Sequence, residues 1–249
     1  MNRNTRFLVL ILLIALLGVA LFYLYSYIQR EQAPTNVVVC IDPGHPSEVN
    51  SGRTPQHGTN ETEINWQVAL KLEDILAKDK RIRVIKTREV EDQLTRNYQR
   101  AVIANDADAA ITVHLHCDAG PSHGYTIYYP DRVGLSGCRL GPSPKVIQQS
   151  CEAAKDMHTA MKTGLDDLLR DRGVRGDSKT HYGSKFGGGL TTSIWSEVPT
   201  LTIEMVFLNN RSDAQFIKGE AGQMAMADAI ADGIKQFIRP ELDKLGERE

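Results

Sequence analysis

The hydrophobic pattern divides the chain into an opening apolar block and a longer stretch in which strand and helix periods alternate. From Phe7 to Ile28 no residue is charged, and Leu, Ile, Val and Ala dominate. An uncharged apolar stretch of about 20 residues can cross a bilayer as a helix. Arg3 and Arg6 precede it, and Tyr23, Tyr25 and Tyr27 lie near its far end, the arrangement of a span whose basic flank stays in the cytoplasm. A cleaved signal peptide would have a shorter apolar region ending in an Ala-x-Ala-like site, and no good site of that kind precedes Tyr27. The expectation is an uncleaved single-pass anchor over residues 1–29, a linker over 30–36, and the remainder outside the cytoplasm. No cysteine lies near this block, which argues against a lipid-anchored form.

Beyond the linker the period changes repeatedly. Val37 to Ile41 reads as a strand, and the polar stretch 46–60, with Gly52, Pro55 and Gly58, as a loop. Ile64, Val68, Leu72 and Ile75 form a stripe at helical spacing, with Asn60 or Thr62 as cap. Arg83 to Thr87 is a second strand, Leu94 to Ala104 a helix, and Ala110 to His114 a short buried strand. Tyr125 to Tyr129 is a fourth strand. Val146, Ala153, Met157, Met161 and Leu165 mark a helix within 142–169. Leu201 to Val206 is a late strand, and Ala225 to Phe237 a closing helix followed by a charged tail over 241–249. Strands alternating with helices predict an α/β fold, a mostly parallel twisted sheet flanked by helices, as one domain over 37–240.

Charge and cysteine usage narrow the class. The formal net charge is −2 and no basic stripe runs through the body, which argues against nucleic acid as a partner. Cys40, Cys117, Cys138 and Cys151 form no Cys-x-x-Cys pair, so neither a cysteine-only zinc site nor a thioredoxin-like motif is expected. Export makes a bridge between Cys138 and Cys151 available; Cys40 and Cys117 read as small buried hydrophobes.

The candidate chemistry gathers at strand ends. Asp42-Pro43-Gly44-His45 follows the first strand, so the Pro-Gly turn puts His45 at its carboxyl end, where open α/β sheets bind ligands. Glu61 stands at a helix start, His114-Leu115-His116 at the end of the third strand, and Glu204 inside an otherwise apolar run. Each alone has a plainer explanation: a solvated histidine, an acid at a helix N-terminus, a buried ion pair. Together, imidazoles and carboxylates delivered from strand ends and loops are the material of a catalytic zinc site.

These residues also carry a family resemblance, running from about Val37 to the end of the chain and weaker between His123 and Ser196. The opening strand with its Asp-Pro-Gly-His turn, Glu61 with Asn65, Thr87-Arg88, Arg100 with Ala104-Asn105, the strand ending at His114, and Val198 to Glu204 with Phe207 to Asn210 together resemble the zinc-dependent N-acetylmuramoyl-L-alanine amidases of bacterial cell walls. The resemblance implies Zn2+ bound by His45, Glu61 and His114, with Glu204 as general base. It implies hydrolysis of the amide between N-acetylmuramic acid and the L-alanine of the stem peptide, with peptidoglycan as substrate and the N-terminal helix as membrane contact; no protein activator can be named from it. Two readings stand beside it: a zinc hydrolase acting on another exported amide or peptide, and a non-catalytic wall-binding or regulatory module.

Three positions depart from the family pattern or compete within it. Pro46 replaces the usual glycine after the first histidine, His116 stands where the pattern has asparagine, and Glu63 competes with Glu61. His114 is preferred to His116 by the motif, and Glu61 to Glu63 by its spacing to Asn65. Arg172-Gly173-Val174-Arg175 resembles the family's turn after its long helix. Residues 120–196 are expected to select the substrate, and Gly187-Gly188-Gly189 to form a flexible loop.

Overall fold

Val37, Val39 and Ile41 point into one apolar core while Val38 and Cys40 point into another, because successive side chains of a strand face opposite sides. That alternation makes β1 (Val37–Pro43) a central strand covered on both faces. In this computed structural model the residues described are 2, 14–23, 35–185 and 187–247, and the chain divides into two compact units, Met1–Thr35 and Asn36–Glu249. In the first, residues 14–23 are helical and expose Ile14, Leu16, Leu17 and Phe22. The rest of the expected anchor over 7–28 lies outside the described residues. Among the described residues no helix is long and apolar enough to cross a membrane.

The second unit alternates strands and helices. After β1 come α1 (Glu61–Leu76), β2 (Ile82–Lys86), α2 (Asn97–Asp106), β3 (Ile111–Asp118) and β4 (Tyr125–Tyr129). A short hairpin, β5 (Gly134–Ser136) and β6 (Arg139–Gly141), leads to α3 (Pro144–Gly164) and β7 (Asp171–Gly176). Two one-turn helices, α4 (His181–Lys185) and α5 (Thr191–Trp195), precede β8 (Thr200–Phe207), α6 (Arg211–Lys218), α7 (Glu220–Phe237) and α8 (Arg239–Gly246). The main sheet has the order β2-β1-β3-β8-β4-β7. Its pairs are parallel except β4 with β8, which is antiparallel. The α/β fold with a mostly parallel sheet is therefore as expected.

Local signals explain the helix starts. Asn60 caps α1 by accepting from the Glu63 amide, and Ser143 caps α3 with Pro144 in the first turn, where a missing N–H costs nothing. The stripe Ile64, Val68, Leu72 and Ile75 on α1 joins Met157 and Met161 of α3 and Ile230 and Ile234 of α7 in the larger core. Burying each such side chain contributes about 1.5–3 kcal/mol. α3 and α7 touch closely at Gly233, where a Cβ would lie 2.8 Å from the Met157 Cα. The smaller core, on the other face, gathers Cys40, Ala104, Ala109 and Val198.

Several boundaries differ from expectation. β3 runs four residues past His114 to Asp118. The expected charged tail begins as α8, anchored by buried Leu242. Cys138 is exposed and Cys151 half-buried, and both are free thiols. Cys40 and Cys117 are buried as expected, and burial pushes both thiols up.

Candidate metal centre and active site

The site lies at the carboxyl ends of β1, β3 and β8. β1 delivers His45 through Gly44, whose amide donates to the Leu115 carbonyl at 2.9 Å. A Cβ at Gly44 would sit 2.4 Å from the His116 Cε1, so only glycine admits that ring. His45 itself has φ of 60°, a left-handed conformation costing on the order of 1 kcal/mol for a side-chain-bearing residue. It is held there by its Nδ1, which donates to the Asn50 carbonyl at 3.1 Å.

Glu61, at the first turn of α1, joins the two imidazoles. Its Oε2 lies 3.2 Å from His45 Nε2, and its Oε1 accepts from His116 Nδ1 at 2.9 Å and from the Cys117 amide at 3.1 Å. The His45 and His116 rings stand edge to face, 4.9 Å apart at 84°. One donor atom from each of His45, Glu61 and His116 falls within 4.8 Å of the others. Glu63 is turned away, accepting from Thr59 at 3.2 Å and Gln67 at 3.2 Å. Of the two acids weighed from the sequence, the structure brings Glu61 into the cluster.

His114 is the correction. It is buried one register step below the site, with Nδ1 2.6 Å from Asp42 Oδ2 and Nε2 2.9 Å from the Thr200 hydroxyl. Both ring nitrogens are engaged and neither reaches Glu61. Because β3 continues to Asp118, two further residues carry the chain about 7 Å toward the strand mouth, and it is His116 that emerges there. The alternation Ile111, Val113, Leu115, Cys117 against Thr112, His114, His116, Asp118 held this signal in the sequence: the run is strand-like throughout, so His114 is not its end.

The family-pattern residues around Asp42 form a buried brace. Asp42 accepts from Arg100 at 2.5 Å, from Thr87 and from His114. Burial opposes its ionisation, but the Arg100 charge and these hydrogen bonds outweigh it and hold the carboxyl well below the usual range. Arg100 also donates to the carbonyls of Pro43 at 3.1 Å, Pro46 at 2.8 Å and Thr95 at 3.1 Å. Arg88 donates to Pro43 at 2.9 Å, and Asn65 to Gly44 at 3.2 Å. The loop bearing His45 is thus fixed by three side chains, from α1, α2 and the segment after β2. Pro46, the departure from the family pattern, keeps its carbonyl in this brace.

Glu204 completes the arrangement. It is the register partner of His116 across the parallel β3–β8 pair, so both side chains stand on one face. Its Oε2 is buried and has no hydrogen-bond partner among the described residues. Burial, then the nearby Glu61 and Asp118 charges, raise its pKa well above the ordinary glutamate value. For Glu61, burial is outweighed by hydrogen bonds from His116 and His45, which keep it below the carboxylate range. Burial pushes His116 down, and the Glu61 contact lifts His45 against its own burial. The site therefore pairs one ionised carboxylate with one poised to hold a proton.

Residues 39–236 match the family described as N-acetylmuramoyl-L-alanine amidase. The chain belongs to that family. Among curated proteins, it is 27% identical to the uncharacterised protein YqiI of Bacillus subtilis over 226 residues, covering 90% of this chain and 95% of that one. It is 23% identical to N-acetylmuramoyl-L-alanine amidase AmiC of Escherichia coli, over 81% of this chain; the match spans about half of that protein, 53%. Among solved structures, the catalytic domain of the amidase CwlV from Bacillus (Paenibacillus) polymyxa var. colistinus superposes with a TM-score of 0.65. It is 24% identical, covering 82% of this chain and 98% of that one, a likeness of fold. The amidase family's match region holds His45, Glu61, His116 and Glu204 together, with the Asp42 brace beneath them.

Proposed function

We propose that this chain hydrolyses the amide between N-acetylmuramic acid and the L-alanine of the stem peptide in peptidoglycan, with Zn2+ held by His45, Glu61 and His116 and with Glu204 as general base. The observation that carries the reading is the juxtaposition of a compact His-Glu-His donor set with a buried carboxylate oxygen, one strand away, that has no hydrogen-bond partner among the described residues. Two imidazoles and one carboxylate are the donor set of many hydrolytic zinc centres, leaving a position free for water or substrate. When bound, the ion supplies a Lewis acid and brings the pKa of a coordinated water to about 7.

The chain's own residues do the rest. Glu204, in its ionised form, takes the proton from the attacking water and returns it to the leaving amine of L-alanine. Its raised pKa suits both halves of that transfer, since a carboxyl of ordinary acidity would return the proton less readily. Glu61 and the Asp42 brace hold the two imidazoles in place before substrate arrives, so little reorganisation is needed at the moment of reaction.

We further infer that residues 7–28 anchor the chain in the membrane with the amidase domain on the outer side. What supports this is the uncharged apolar run, its basic N-terminal flank and its tyrosines.

The test is digestion of purified peptidoglycan by the zinc-loaded protein beside Glu204→Gln, with fragments identified by mass spectrometry. Stem peptides beginning with free L-alanine, released by the parent and lost in the variant, are the expected result. Fragments opened at another bond would retain a hydrolase and reject this substrate; zinc-loaded protein that releases nothing would leave the binding-module reading.

A further inference from the structure

One row of side chains crosses the sheet at the level of the site. His116 on β3 faces Glu204 on β8, Glu204 faces Thr126 on β4, and the Thr126 hydroxyl accepts from the Nε of Arg172 on β7 at 3.2 Å. Strands lie about 4.8 Å apart, so the Arg172 guanidinium, reaching over β4, stands roughly 5–10 Å from Glu204.

Two irregularities aim this row. The β4–β7 register shifts between the pairs Tyr125–Asp171 and Ile127–Val174, leaving Arg172 and Gly173 opposite Thr126 alone. An extra residue of this kind re-aims a side chain and recurs beside active sites. The β3–β8 register shifts likewise between His116 and Asp118, so that Phe207 faces Asp118. This turns the Phe207 ring to the side bearing Glu204, and the Arg172 guanidinium lies 4.9 Å from its centroid. Ser122, on the loop after β3, accepts from Nη1.

The guanidinium is therefore fixed on three sides yet only part-buried, and it forms no ion pair among the described residues. Burial pushes the Asp118 pKa up against the opposing pull of the Ala119 amide and Arg172; Asp118 is not within ion-pair distance of Arg172, and its Oδ1 accepts from the Ala119 amide at 2.8 Å. Nη2 makes no hydrogen bond among the described residues. A held guanidinium with a free edge is suited to a carboxylate, which it can bind through two parallel hydrogen bonds.

We propose that Arg172 binds a carboxylate of the substrate, the one borne by the residue that follows L-alanine in the stem peptide; this rests on the amidase reading above. The spacing selects that residue. Two residues of extended peptide span at most about 7 Å, within the interval between Glu204, where the amide is cut, and the guanidinium. A carboxylate on L-alanine itself is consumed in its own peptide bond, and three extended residues, at about 10–11 Å, reach only the far limit of that interval.

The test uses the full-length, zinc-loaded protein and two muramoyl peptides that differ in one group: the second stem residue carries either an α-carboxylate or the corresponding carboxamide. A hydrogen bond to a charged group is worth about 1.5–3 kcal/mol, so the parent is expected to favour the carboxylate about 10- to 150-fold in kcat/KM. Arg172→Gln should bring that ratio to within about threefold, whatever its effect on the absolute rates, and Arg172→Lys should fall between. A role confined to holding Ser122 and Thr126 would lower both substrates alike and keep the ratio. The ratio in the parent needs no variant to fold, and a value near one overturns the proposal. Should neither peptide be cut, the amidase reading fails separately. Calorimetric titration of both peptides into parent and Arg172→Gln then still decides the anchor, through the same ratio in Kd.

Discussion

His116 and Glu204 are register partners across β3 and β8, so the strand pairing itself sets an imidazole of the His-Glu-His cluster and a buried carboxylate side by side. Neither residue depends on a loop for its position. If Glu204 is the base, its carboxylate form is the active one, and its pKa is raised by burial and by the Glu61 and Asp118 charges. Raising the pH therefore recruits activity across a limb lying above the ordinary glutamate value of about 4.3. A pH profile of kcat/KM should show that limb, and Glu204→Gln should lower the rate about 100- to 10,000-fold and leave a residual activity without the limb. A profile already flat at pH 4 contradicts the assignment.

The Asp42 brace stabilises the fold. Asp42→Ala leaves Arg100 and His114 buried without their carboxylate, and breaking a buried pair from one side costs about 3–5 kcal/mol. The folded-state pKa of Asp42 is depressed, so its contribution is complete above the unfolded value of about 3.9 and is lost progressively as the pH falls below it. Urea unfolding should show the full gap between parent and variant at pH 7 and a narrowing gap below pH 4. An equal gap at both would mean that Asp42 acts by packing alone.

Asp177 behaves in the opposite sense. It is buried at 1% exposure, and among the described residues neither carboxylate oxygen has a hydrogen-bond partner in good geometry. Burial pushes its pKa up to about 6, with the Ser193 hydroxyl and Leu190 amide near enough to offset part of that cost. An acid whose folded pKa is raised destabilises the fold once the pH passes from the unfolded value of about 3.9 up through the folded one. Asp177→Asn should thus stabilise the protein at pH 8, by about 1–3 kcal/mol, and have little effect at pH 4. A variant that is destabilised at pH 8 would show that the ionised carboxylate is needed.

The sequence carried the fold well because its periods are strong. Val37 to Ile41, the α1 stripe and Leu201 to Val206 are each long enough to read from spacing alone, and they became β1, α1 and β8. His45, Glu61 and Glu204 were legible through the turn, cap and apolar run around them. His114 misled because a polar residue after an apolar run looks like a strand end, whereas β3 continues with Leu115 and Cys117 still facing the core. The brace could be quoted as a pattern but not understood, since Asp42 meets Arg100 and His114 from 58 and 72 positions away. The β4–β7 bulge that aims Arg172 leaves no mark on composition or period.

The claim on which the account turns is that His116, and not His114, holds the metal. Competitive zinc titration of the parent, His116→Ala and His114→Ala, each checked for folding by circular dichroism, addresses it directly. The parent should bind one zinc ion. His116→Ala should stay folded and lose affinity by at least about 100-fold, as removal of a direct ligand should exceed the 10- to 100-fold cost of altering an outer partner. His114→Ala should lose stability more than affinity. A folded His114→Ala protein that binds no zinc, beside a His116→Ala protein that binds it normally, would contradict the account.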